Sequence, residues 1–222
     1  MNTKVLSVFV GSLMLAGVAN AAYTGLYSEE YTNAAYEAPA GTITYRLYAT
    51  FDNEMDQLTG MGGSDVEPWM LHTNTEYFND DAFGGWWAHN ASFDPVIPFL
   101  HYDSYWTIGT DDSNAGAALG IAFPGVQPTW DATDWFADDG GVFRTPEDPL
   151  SFAGAELRVL MGQFTVNAST DEPAYLEGAV KMNMVSDGEQ LTVYEDAILI
   201  PIPAPGALAL LGLAGLVGRR RR

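Results

Sequence analysis

The sequence predicts a mainly β fold, an antiparallel two-sheet β-sandwich of jelly-roll or immunoglobulin-like topology. Apolar and polar residues alternate with a period of two in several short runs, which is typical of half-buried strands. Segments rich in Gly, Asp, Asn and Pro separate these runs and favour hairpins and surface loops. No stretch of the chain body has a sustained helical period. The alternation does not distinguish the two topologies, so both stay open.

The predicted strands follow one another along the chain body. The clearest covers residues 42–51, where Tyr45, Leu47 and Phe51 alternate with polar or smaller side chains. Shorter runs predict further strands at 102–108, 117–123, 156–167, 180–184 and 190–200. A glycine in the 156–167 run, Gly162, predicts a β-bulge. The spacing of Thr73 and Glu76 matches a capping box and predicts one short helix.

Residues 1–21 have the pattern of a secretory signal peptide. Lys4 precedes an apolar run at 5–18, and the small residues Ala19 and Ala21 form a cleavage site. The run is shorter than the roughly 20 residues that a membrane-spanning helix needs, which makes an N-terminal anchor the weaker alternative. We therefore expect the export machinery to translocate the chain, and residues 22–200 to form one acidic domain.

The C-terminal segment, residues 201–222, combines a short Pro motif, an apolar run and a basic end. The motif is Pro203-Ala204-Pro205-Gly206, the apolar run covers 207–218, and the chain ends with Arg219, Arg220, Arg221 and Arg222. A helix of the apolar run would reach only about 18 Å, short of the roughly 30 Å hydrocarbon core. The Arg cluster predicts a cytoplasmic end for this segment, with the acidic domain outside.

This order of elements resembles the PEP-CTERM sorting signal, with Pro203-Ala204-Pro205 in place of Pro-Glu-Pro. The resemblance implies an apolar sorting helix, processing by an exosortase-like membrane enzyme, and association with extracellular polysaccharide. It also implies a location in the cell envelope, at the cell surface or outside the cell, with transient or stable anchoring through the tail. A tail anchor that is never cut is the alternative.

The charge of the chain body excludes several classes of partner. All 29 acidic residues lie outside the two terminal segments, whereas five of the nine cations lie in them. Such an acidic body repels phosphate backbones and anionic lipid, so we expect no nucleic-acid partner and membrane contact only through the C-terminal tail. The chain has no cysteine, which leaves no disulfide, thiol nucleophile or cysteine metal site.

The sequence offers little support for an enzyme. It contains no nucleophile elbow, no Gly-rich phosphate loop and no His-Glu-x-x-His motif. The three histidines, His72, His89 and His101, could form a zinc site only if the fold brought them together. We predict a non-enzymatic envelope or matrix protein that requires no cofactor. A carbohydrate-binding module is the alternative, and a secreted hydrolase comes third.

Two sets of residues are candidate binding sites. Asp52, Glu54 and Asp56 are spaced two apart after the first alternating run and could hold calcium, although ordinary turn formation also explains them. Four tryptophans near glycines or carboxylates could stack on a sugar ring, although most tryptophans in such a fold belong to the core. These tryptophans are Trp86, Trp87, Trp130 and Trp135.

Overall fold

The structure is a computed structural model that describes residues 23–80, 82–115, 119–123, 128–137, 139–168 and 174–201. Within these ranges the strands are β1 (Tyr23–Glu30), β2 (Thr42–Phe51), β3 (Gln57–Gly63), β4 (Trp69–Thr73), β5 (Tyr105–Trp106), β6 (Gly120–Ala122), β7 (Thr129–Trp130), β8 (Asp134–Ala137), β9 (Gly140–Phe143), β10 (Arg158–Asn167), β11 (Tyr175–Ser186) and β12 (Glu189–Pro201). Short 3-10 helices cover Ala91–Phe93, Pro98–Tyr102, Pro149–Ser151 and Gly154–Glu156. The predicted mainly β fold with two antiparallel sheets is confirmed.

The first sheet has the order β1-β2-β10-β5. Its central strand, β2, has the predicted bounds, and Tyr45, Leu47 and Phe51 are buried as the alternation requires. The register of β10 against β2 shifts between Leu160 and Gly162, where the sequence predicts a bulge.

The second sheet has the order β6-β9-β3-β11-β4-β8-β7, with β12 on the other side of β11. The long strand β11 pairs with β3 through Lys181–Val185 and with β4 through Leu176–Ala179. Its opposite side pairs with β12 along almost its whole length. The strand predicted at 180–184 is therefore the middle of a longer strand that organises this sheet.

Three tryptophans join the two sheets in the core. Trp106 belongs to the first sheet, whereas Trp69 and Trp135 belong to the second. Their ring centroids lie 4.4 to 5.5 Å apart, and all three side chains are fully buried. Aromatic rings in such edge-on contacts stabilise a core beyond the burial of their area.

The strands predicted at 102–108 and 117–123 are much shorter in the structure. Of 102–108 only Tyr105–Trp106 forms a strand, because the preceding residues complete a 3-10 helix that begins at Pro98. Of 117–123 only Gly120–Ala122 is a strand, and residues 117 and 118 lie outside the described ranges.

The helix predicted at Thr73 is wrong because a local turn satisfies the polar groups there. Thr73 ends β4, and its hydroxyl accepts the backbone N–H of Thr75 at 3.3 Å. The Asn74 side chain accepts the N–H of Tyr175, and Tyr77 forms a β-bridge with Val166.

In the described part of the chain, no helix is long and apolar enough to cross a membrane.

Candidate functional site

In its described residues, the segment between β4 and β6 contains little regular structure and packs against the first sheet. Backbone hydrogen bonds fix it at several points, including Phe78 N–H to Thr165 O at 2.8 Å and Trp106 N–H to Trp86 O at 2.9 Å. The segment carries the 3-10 helices Ala91–Phe93 and Pro98–Tyr102. Its buried polar side chains include His89, Asp94 and Asp103.

A buried cluster of two histidines and one aspartate lies within this segment. The Asp94 carboxylate lies between the two imidazoles, with Oδ1 2.6 Å from Nε2 of His89 and Oδ2 3.2 Å from Nδ1 of His101. The exposed fractions of the three side chains are 2% for His89, 6% for Asp94 and 11% for His101. Among the described residues, this is the one group of three or more His, Asp or Glu residues whose ligand atoms all lie within 4.8 Å of one another.

The two short helices position this cluster. Asn90 caps the first by accepting the Ser92 N–H at 2.9 Å, and the Asp94 N–H then donates to Ala91 O. His101 lies in the second helix, which begins at Pro98. The second helix has no side-chain cap, and both helices are too short to show a periodic sequence pattern.

A second layer of side chains surrounds His101. Nε2 of His101 lies 2.6 Å from the Tyr31 hydroxyl and 2.8 Å from Nδ2 of Asn33. Oδ1 of Asn33 accepts the Ala35 N–H, which orients the amide so that Nδ2 faces the imidazole. Nε2 therefore accepts a hydrogen bond, and Nδ1 carries the proton that faces Asp94. Burial lowers the pKa of His101, and the neighbouring Asp94 opposes this shift.

His72 takes no part in the cluster. It lies on β4, and its Nδ1 is 2.8 Å from Oδ1 of Asp134 at a solvent-accessible position. Two of the three histidines therefore meet, and the residue that joins them is Asp94, which the sequence analysis missed. No motif spacing indicates Asp94, because it is one of many acidic residues.

The four candidate sugar-binding tryptophans do not form one surface. Trp135 belongs to the core, and Trp130 is partly buried, with its indole N–H donating to Gly85 O at 3.2 Å. Trp87 is 42% exposed and makes an edge contact with Trp86 at a centroid distance of 4.8 Å. A cavity of about 240 Å³ lies beside this pair. The hydroxyl residues Thr110 and Ser113 also line it.

The candidate calcium residues face in different directions. Asp52 and Glu54 are exposed, whereas Asp56 is turned inward and is 1% exposed. Burial raises the pKa of Asp56. Among the described residues, these three carboxylates do not form a group whose ligand atoms all lie within 4.8 Å of one another. The calcium site therefore stays a prediction.

A buried aspartate that the sequence analysis missed lies beneath the Gly84-Gly85 turn. Asp103 is fully buried, and its Oδ1 accepts the Asp80 N–H at 2.8 Å. Burial raises the pKa of Asp103 to about 7, and nearby backbone N–H groups only partly oppose this shift. The carboxyl group fixes the turn that precedes Trp86 and Trp87.

The predicted signal and sorting residues lie outside the described residues. These are Ala19 and Ala21 at the first end, and Pro203 to Gly206 with the Arg cluster at the second. Comparisons of the chain with protein-family models, with curated proteins and with solved structures find no match.

Proposed function

We propose that this chain is an exported, non-enzymatic protein of the cell envelope or extracellular matrix, sorted through its C-terminal segment. In this proposal the signal peptide is removed after Ala21, and an exosortase-like enzyme acts on the 201–222 tail. One observation carries the proposal. The predicted signal peptide and the predicted sorting segment flank an acidic β unit whose described strands begin at Tyr23 and end at Pro201. This arrangement supports a folded domain between two cleavable targeting segments.

The finer fold in this proposal is a sandwich of jelly-roll or immunoglobulin-like topology. Strands distant in sequence are neighbours in both sheets, as β2 with β10 and β3 with β11. Non-consecutive neighbours of this kind are common to Greek-key sandwiches, which supports this part of the proposal.

The burial of the titratable cluster supports a non-enzymatic role. Catalysis requires that a substrate reach the reacting groups. His89 and Asp94 are almost fully buried, and His101 is covered by Tyr31, Asn33 and the ring of Tyr36 at 4.9 Å. A buried group of this kind favours a role in stabilising the fold over a role in catalysis.

Deletion of Arg219 to Arg222 tests the sorting proposal. The apolar run is too short to anchor firmly alone, so the cluster is needed as a cytoplasmic stop. We expect the truncated chain to lose membrane retention and tail processing in cell fractionation, while circular dichroism of its body stays unchanged. A matched variant with the four arginines replaced by lysines should retain both properties. Equal sorting of the truncated and full-length chains would contradict the proposal.

Carbohydrate binding is the second candidate function, and the Trp86-Trp87 cavity favours it. At about 240 Å³, the cavity is smaller than the roughly 300–1,000 Å³ of typical ligand pockets, which limits its ligand to the size of about one sugar ring. The half-exposed Trp87 offers a stacking face, and Thr110 and Ser113 offer hydroxyl groups for hydrogen bonds. A neutral glycan would also avoid repulsion by the acidic surface.

Replacement of the exposed tryptophan tests this second candidate. We expect Trp87→Ala to abolish retention on extracellular polysaccharide from the producing cell. Phe136→Ala is the matched control, because Phe136 is 51% exposed but does not line the cavity. Equal retention of both variants and the parent chain would exclude this cavity as the sugar site.

A further inference from the structure

We propose that His89, Asp94 and His101 form a binding site for a first-row divalent transition metal of the zinc type. Two imidazoles and one carboxylate are a ligand set that borderline metals accept, with a fourth position left for water. Calcium and magnesium prefer sites made of oxygen ligands alone. The site is distinct from the acidic turn at 52–56 and is independent of the proposed sorting function.

The spacing of the ligand atoms fits this chemistry. Zinc binds nitrogen and oxygen at roughly 2.0–2.2 Å, so neighbouring ligands of a tetrahedral ion are roughly 3.3 Å apart. Nε2 of His89 lies 2.6 Å from one carboxylate oxygen of Asp94, and Nδ1 of His101 lies 3.2 Å from the other. One ligand atom from each of the three residues lies within 4.8 Å of the other two. Small side-chain shifts would therefore open the space for one ion.

Burial adds an electrostatic reason for a cation. The Asp94 carboxylate is 6% exposed and lies between the two imidazoles of His89 and His101. A buried carboxylate without a full positive partner is costly, and a divalent ion would compensate it. The acidic body also raises the local concentration of cations.

The side chains around His101 would tune the affinity of the site. When Nδ1 binds a metal, Nε2 must carry the proton, and the Tyr31 hydroxyl at 2.6 Å can accept it. Asn33 opposes this state, because its Nδ2 donates to the same nitrogen from 2.8 Å. A carboxylate in place of this amide would accept the proton from Nε2 and favour metal binding.

A metal here would fix the irregular segment between β4 and β6. Asp94 directly follows the Ala91–Phe93 helix, and His101 belongs to the Pro98–Tyr102 helix. His89 precedes both and accepts the Ser113 N–H through its carbonyl at 2.9 Å. One ion would therefore link three points of a segment that sheet hydrogen bonds hold only in part.

The test is zinc titration of the full-length chain after chelator treatment. We expect one tight zinc ion per chain by calorimetry, and a rise in the thermal midpoint with zinc but not with magnesium. His89→Gln and His101→Gln should abolish this binding, whereas the matched control His72→Gln should leave it unchanged. Asn33→Asp should tighten it by about 10- to 100-fold, the usual size of such outer-ligand effects.

A second measurement keeps the test valid if a ligand variant fails to fold. The chain has three histidines, so their ring resonances can be followed individually by NMR in the unaltered protein. Zinc should shift the resonances of His89 and His101 and leave those of His72 in place. No stoichiometric zinc binding, or shifts confined to His72, would overturn the proposal and identify the cluster as a hydrogen-bonded pair around Asp94.

Discussion

At the residue scale, Gly84 and Asp103 form one unit beneath the surface tryptophans. A Cβ atom added to Gly84 would lie 2.1 Å from Oδ2 of Asp103 and 2.6 Å from Asp80 O. Neither neighbour is the free end of a flexible chain, since Asp103 is fully buried and Asp80 contributes its backbone. The adjacent Gly85 has open space around the same position.

We predict that Gly84→Ala destabilises the protein by about 1–3 kcal/mol, because overpacking at a buried contact forces the backbone to move. Gly85→Ala is the matched control and should change the free energy of unfolding by less than about 1 kcal/mol. Urea unfolding of both variants measures the difference. Equal destabilisation would mean that the close approach of Gly84 to Asp103 does not constrain the turn.

The raised pKa of Asp103 predicts how stability depends on pH. The folded state holds this proton up to about pH 7, whereas an unfolded aspartate releases it at about pH 3.9. Between these values the folded chain binds more protons, so the contribution of Asp103 to stability is present below about pH 4 and is lost as the pH rises. A difference of this size corresponds to about 4 kcal/mol at most.

The variant Asp103→Asn removes this titration. We expect its free energy of unfolding to fall less than that of the parent chain as the pH rises from about 4 to about 7. Asp65→Asn, at an exposed position, is the control and should follow the parent curve. Parallel curves for the parent chain and Asp103→Asn would show that the carboxyl group ionises normally.

At the element scale, the turn between β2 and β3 tests the calcium prediction. Asp52 and Glu54 are exposed there, and only Asp56 is buried. If a calcium ion binds these carboxylates, their mutual repulsion is relieved in the folded state. Thermal unfolding should then shift upward with calcium more than with sodium chloride at equal ionic strength.

The double variant Asp52→Asn with Glu54→Gln should lose that difference. Asp65→Asn, in the next turn of the chain, should retain it, because it removes an exposed charge elsewhere. Identical melting of the parent chain in both salts would leave screening as the whole effect of calcium.

The elements that the sequence predicts well are those with one buried face. The alternation in 42–51 gives the bounds of β2, because Tyr45, Leu47 and Phe51 point to the core. Residues 102–108 are buried on both faces, so their alternation carries no information about a strand. The segment forms a 3-10 turn and a two-residue strand instead.

The histidine cluster could not be predicted for a related reason. His89, Asp94 and His101 lie in short turns whose geometry depends on caps such as Asn90 and on Pro98. Turns of three to five residues have no period that places side chains on a shared face. The sequence therefore indicated His89 and His101 as candidate ligands, but not Asp94 or the contact between the three side chains.

At the scale of the whole molecule, the described ion pairs account for all four cations of the chain body. Arg46 pairs with Asp111, Arg144 with Asp148, Arg158 with Glu29 and Glu156, and Lys181 with Glu67. The five carboxylates in these pairs are a small part of the 29 acidic residues of the chain. Such an excess of negative charge repels anionic surfaces.

In the proposed function, export and sorting remove the signal peptide and the C-terminal segment from this acidic β unit. The intact mass of the protein recovered from medium, membrane and cytoplasm tests it most directly, because one value reports both ends. We expect the exported form to begin at Ala22 and to lack the apolar run and the Arg cluster. Recovery of the chain only in the cytoplasm, with Met1 and Arg222 both present, would contradict it.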